Sequence, residues 1–78
     1  MTYKKHHIND STENIILTID NHINGFKAYR NRMILKSRLI DGLTFEELSE
    51  KNDMSVMQIK NIVYRNMEII SEHLRVEE

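Results

Sequence analysis

Seventy-eight residues carry eleven Lys/Arg, twelve Asp/Glu, no cysteine, no proline and a formal net charge of −1. That length predicts one small domain, the lack of cysteine excludes disulfides and thiolate metal sites, and apolar runs of only a few residues exclude a transmembrane helix. The near-neutral total hides an asymmetry, because residues 1–40 hold seven Lys/Arg against three Asp/Glu whereas residues 41–78 hold four against nine. The opening MTYKKHHIND has basic residues with no apolar stretch behind them, so no secretory signal is expected and the chain is expected in the cytoplasm.

Residues 1–9 read as a flexible arm. Its Lys4-Lys5-His6-His7 run suits a disordered terminus better than a groove-binding arm. No ligand spacing links His6, His7, His22 and His73, so no metal site is expected. Residues 10–76 read as a single helical domain. Asp10 or Ser11 can cap a first helix, along which Ile15, Ile16, Ile19 and Ile23 recur at steps of three and four. Asn24-Gly25 ends it. A second helix over about 26–41 carries Phe26, Tyr29, Met33, Ile34, Leu35, Leu39 and Ile40, and with them Lys27, Arg30, Arg32, Lys36 and Arg38, with no acid from Asn21 to Ile40. At about 100° per residue Lys27, Arg30 and Arg38 fall near one another while Arg32 and Lys36 fall on the other side, so the five form no single stripe.

Gly42 can close that helix in a left-handed conformation, and Leu43 can staple against Leu48. Thr44-Phe-Glu-Glu47 is a capping box that predicts a third helix over about 44–51, with Phe45 and Leu48 inward. Asn52 and Asp53 both tolerate the left-handed backbone of a tight turn. Ser55 then caps a fourth helix running to about Leu74. One apolar edge of this helix is Ile59, Val63, Met67, Ile70 and Leu74, and a second is Ile62, Ile69 and Val76. Ile62 is expected beneath the isoleucine-rich first helix and Ile69 on a partner surface, so a homodimer through the C-terminal helix is one expected assembly. The fold class expected is all-α: a small bundle of about four helices containing a helix-turn-helix at 44–74.

From Arg32 to about Ile70 the chain resembles region 4 of bacterial sigma-70-family factors and the related sigma-like regulators of phages and Gram-positive bacteria. The family pattern is a basic, leucine-rich helix, then acid-Gly-Leu-Ser/Thr, then Glu-Glu-Ile-Ala. ILKSRLIDGLTFEELS meets it through Arg38, Asp41, Gly42, Leu43, Thr44, Glu46, Glu47 and Leu48. Ser55, Ile59, Lys60, Val63 and Arg65 meet the cap-and-helix pattern that follows. The resemblance implies that the helix headed by Ser55 lies in the major groove of double-stranded DNA. By position, Val56, Met57, Gln58, Lys60 and Asn61 would then face bases, and Arg38, Thr44 and Arg65 the phosphate backbone. The chain departs from the family by having Asn52-Asp53 where Leu-Gly is usual, and Val56 and Met57 where the reading helix commonly starts with polar residues.

These side chains suit that chemistry on their own terms. Gln and Asn can bond adenine's major-groove edge at two points, Lys reaches guanine or phosphate, Arg reaches either, and Met57 or Val56 can meet a thymine methyl. A Gly-rich phosphate loop and a nucleophile beside a base are both missing, so neither catalysis nor a cofactor is expected. The function expected is that of a small DNA-binding transcriptional regulator. Two alternatives stay open. One is a module of the same fold that binds protein, such as RNA polymerase or the target of a phage-encoded inhibitor. The other is the DNA-recognition subunit of a phage packaging assembly.

Overall fold

A computed structural model describes residues 7, 8, 10–74, 76 and 77, with side chains over 10–74. Helix α1 (Thr12–His22) starts where Ser11, in extended conformation, accepts the Asn14 N–H on its hydroxyl at 3.1 Å. Asp10 supports this cap from outside, its Oδ1 accepting from the Ser11 N–H at 2.9 Å and from Asn14 Nδ2 at 2.8 Å. Beyond α1 the chain turns through two left-handed residues, Gly25 (φ 91°) and Lys27 (φ 59°). Helix α2 (Ala28–Leu39) follows with no side-chain cap. At its far end Gly42 (φ 72°) reverses the chain, and the Leu43 N–H returns to the Ser37 carbonyl at 3.1 Å. Two further helices complete the fold, α3 (Phe45–Asn52) and α4 (Val56–Ile70).

The molecule is all-α, a small bundle in which α2 and α4 pack on each other at the centre. Helices α1 and α3 flank that pair and do not pack against one another. Ile15, Ile19 and Ile23 from α1 and its C-terminal end meet Ile34 and Leu35 from α2, Leu48 from α3, and Ile59, Ile62, Val63, Met67 and Ile70 from α4. Seven of the core side chains (Ile19, Ile23, Ile34, Leu35, Leu48, Ile59 and Ile70) lose nearly all contact with solvent. Ile62 is buried in the core, whereas Ile69 is 41% exposed. No helix among the described residues is long and apolar enough to cross a membrane.

Two expectations about element ends are corrected. The second helix begins at Ala28, not Phe26, because Lys27 takes the left-handed conformation just before it. Phe26 is therefore outside the helix and 86% exposed. Tyr29 and Met33 lie one turn apart on the side away from Ile34 and Leu35, and they too are exposed. The fourth helix stops at Ile70, four residues early, because its hydrogen bonds tighten from Ser71 N–H on Met67 to His73 N–H on the Ile70 carbonyl. Leu74 still reaches the core from that turn. There His73 stacks on His22 at the end of α1, with ring centroids 3.6 Å apart and planes within 4°.

Most of the expected N-terminal arm, including Lys4, Lys5 and His6, lies outside the described residues. Two of its members, His7 and Ile8 (β1), pair antiparallel with Val76 and Glu77 (β2).

Core and surface apolar residues should therefore differ sharply in energetic weight. Leu48→Ala should lower the unfolding free energy by roughly 2–5 kcal/mol. Phe26→Ala should change it by less than about 0.5 kcal/mol, since that ring is already in water. Urea titration followed by far-UV circular dichroism checks both, and equal losses would contradict this division.

Candidate nucleic-acid interface

Helices α3 and α4 each begin on a complete capping box. At α3 the Thr44 hydroxyl accepts the Glu47 N–H at 3.1 Å, and Glu47 Oε1 accepts the Thr44 N–H at 3.0 Å. At α4 the Ser55 hydroxyl accepts the Gln58 N–H at 3.1 Å, and Gln58 Oε1 accepts the Ser55 N–H at 2.9 Å. Between them Asp53 is the left-handed residue (φ 52°), while Asn52 closes α3 by donating Nδ2 to the Leu48 carbonyl at 2.9 Å. The Met54 N–H returns to Ser49, whose hydroxyl donates to the Met54 carbonyl. Met54 itself packs against the core. The turn thus carries an apolar anchor one residue after Asp53.

This framework fixes how α4 is rotated. Its inner face (Ile59, Ile62, Val63, Asn66, Met67, Ile70) is buried, so Met57, Gln58, Asn61 and Arg65 are exposed along the outer one. Val56 and Lys60 are half-buried at the edges. Of the residues expected to face bases, the structure brings Met57, Gln58 and Asn61 onto one open surface, with Arg65 a turn beyond.

Others have structural partners. Arg38 donates Nη1 to the Leu43 carbonyl at 2.8 Å and stacks its guanidinium 4.2 Å from the centroid of the Phe45 ring. Lys60 Nζ lies 5.6 Å from the same centroid, and Tyr64 meets Phe45 edge-on at 5.8 Å. Phe45, expected simply inward, is therefore a half-buried hub joining α2, α3 and α4. It gathers Arg38, Lys60 and Tyr64 beside the Thr44 cap. Gln58 has a second duty that the sequence reading did not assign to it. Ser55-Val-Met-Gln58 is a capping-box pattern in its own right, so the signal was present. With its carbonyl oxygen engaged, Gln58 has its amide NH₂ left to offer a ligand.

The basic run of α2 is largely occupied within the fold. Arg32 donates Nε to the Ile23 carbonyl at 2.7 Å and Nη2 to Asn24 Oδ1 at 2.8 Å, so it closes the end of α1. Lys36 pairs with Asp20 of α1 at 2.8 Å. Arg30 holds Asn31 Oδ1 through two N–H groups at 3.2 and 3.0 Å. At the helix starts the charges differ. The first turn of α3 carries Glu46 and Glu47, and that of α4 carries no acid. Among the described residues no three His, Asp or Glu side chains come together as metal ligands.

Comparison with protein-family models, with curated proteins and with solved structures gives no match.

The α3 cap makes one pH-dependent contribution. Glu47 titrates below the ordinary carboxylate range because its carboxylate accepts the Thr44 backbone N–H and interacts with the Thr44 hydroxyl; its slight desolvation opposes this. A carboxyl depressed on folding stabilises the fold above its unfolded value, and that contribution is lost as pH falls through the folded value. Thr44→Ala should cost about 1 kcal/mol at neutral pH. Glu47→Gln keeps an oxygen for the Thr44 N–H and should flatten the acid limb of the stability profile. A urea-denaturation series below neutrality, comparing Glu47→Gln with the parent, reads this; identical acid limbs would contradict it.

Proposed function

We propose that α3 and α4 work as a helix-turn-helix, that the outer face of α4 reads the major groove of double-stranded DNA, and that the protein is a small non-enzymatic transcriptional regulator of the sigma-region-4-like type. The observation that carries this reading is the exposed line Met57, Asn61 and Arg65 at steps of four along α4, with Gln58 beside it and the opposite face buried. Asn61 has both amide groups to offer an adenine, Arg65 can take a guanine or a phosphate, and Met57 suits a thymine methyl. Arg38 and Lys60, though held over Phe45, retain N–H donors for a phosphate at the edge of the groove.

A second reading is favoured by the same surface. Met57 is 65% exposed at the head of α4, and three of the α2 cations (Arg32, Lys36 and Arg38) are tied into the fold. Those features suit a module that meets protein through this face and has given up DNA.

Selection of duplexes from a random library decides between the two. The DNA reading expects a consensus containing A·T pairs, and a loss of about 1–3 kcal/mol in binding for Asn61→Ala on that consensus. Lys36→Ala, at a residue already paired with Asp20, should leave binding nearly unchanged. No enrichment of any duplex at low salt would sink the DNA reading in favour of the second.

A further inference from the structure

Phe26, Tyr29 and Met33 have no part in the interface proposed above, yet all three are exposed, at 86%, 78% and 43%. Tyr29 and Met33 lie one turn apart on α2, and Phe26 is in the loop just before it. Beside them opens a cleft of about 280 Å³, walled by Tyr29, Arg30, Met33 and Ser37 of α2 and by Lys51 and Asn52 at the end of α3. No residue of α4 lines it.

The lining joins apolar surface to two cations and includes no carboxylate. Among the described residues neither Arg30 nor Lys51 is paired with an acid. The approach is also held in an uncommon backbone state, with left-handed Gly25 and Lys27 on either side of Phe26 and no side-chain cap on α2. A left-handed non-glycine residue there brings no core contact, since the Phe26 ring it presents is left in water.

We propose that this cleft is a docking site for an acidic amphipathic segment of a partner protein. An apolar side chain of the segment enters between Tyr29 and Met33, and carboxylates beside it meet Arg30 and Lys51. A nucleic-acid strand suits the cleft less well. Met33 offers no stacking plane, and the cleft admits a side chain, not a line of phosphates. The inference does not depend on DNA binding by α4.

The test uses the isotope-labelled full chain and a synthetic peptide of roughly four helical turns, with Leu at steps of three and four and Glu elsewhere. Controls are the same peptide with Lys for every Glu, and oligothymidylate. The Glu peptide should shift the amide resonances of Tyr29, Met33 and Lys51, and the Lys peptide should bind at least about tenfold more weakly. Tyr29→Ala and Lys51→Glu, both at exposed positions, should each weaken the Glu peptide by about tenfold while circular dichroism stays unchanged. Equal binding of both peptides, no binding of the Glu peptide at millimolar concentration, or oligothymidylate shifting the same resonances would each overturn the proposal.

Discussion

Burial of one face of α4 is the constraint on which the rest of the structure turns. Ile59 and Ile70 are fully enclosed, with Val63, Met67 and Ile62 nearly so, against side chains from all three other helices. Rotating the helix by a single residue would swing roughly 100° of that surface toward water, and among the described residues no other helix of the chain covers the outer face. The outer line of Met57, Asn61 and Arg65 is therefore fixed by packing. One polar residue breaks the inner face, and the fold accommodates it locally: buried Asn66 donates Nδ2 to the Ile62 carbonyl at 2.7 Å, one turn back. An unbonded amide there would have cost as much as a core methyl group gains.

The charges of α2 serve the same core from outside. Arg32 caps α1, Lys36 ties α2 to α1, and Arg38 ties the end of α2 to the loop that starts α3. Each is a polar link across a seam between helices, where a short chain has few apolar contacts to spare. Lys36 meets an acid, whereas Arg32 and Arg38 are held by carbonyl oxygens and keep their full charge. Phe45 extends the arrangement, since its ring is the surface on which a cation from α2 and one from α4 both rest. Removing that ring would loosen the two cations together with the α3–α4 seam.

Much of this was legible in the chain. The steps of three and four placed Ile15, Ile19, Ile23, Ile59 and Val63 on inward faces, and Thr44 and Ser55 marked helix starts by chemistry that acts over four residues. What the pattern missed depended on backbone states or distant partners. Lys27 adopts a left-handed conformation that nothing in a Lys advertises, and it moves the start of α2 past Phe26. The partners of Arg32, Lys36 and Arg38 lie up to sixteen positions away in sequence, so helical spacing alone read them as free charge. At the candidate site Met57, Asn61 and Arg65 were expected on the outer face by position in the resemblance, and they are exposed. The engagement of Gln58 was not expected, because one side chain was credited with a single role.

The two helix starts also divide the labour of meeting an anion. Each capping box satisfies the N–H of its third helical residue and of the cap itself, which leaves the N–H groups of the first two residues open. At α3 those groups sit beside Glu46 and Glu47, whose charges offset the helix dipole and would repel a phosphate approaching Thr44. At α4 the corresponding residues are Val56 and Met57, and no acid stands in that turn. The apolar pair that departs from the usual sigma-like pattern thus leaves the α4 start electrostatically more open than the α3 start.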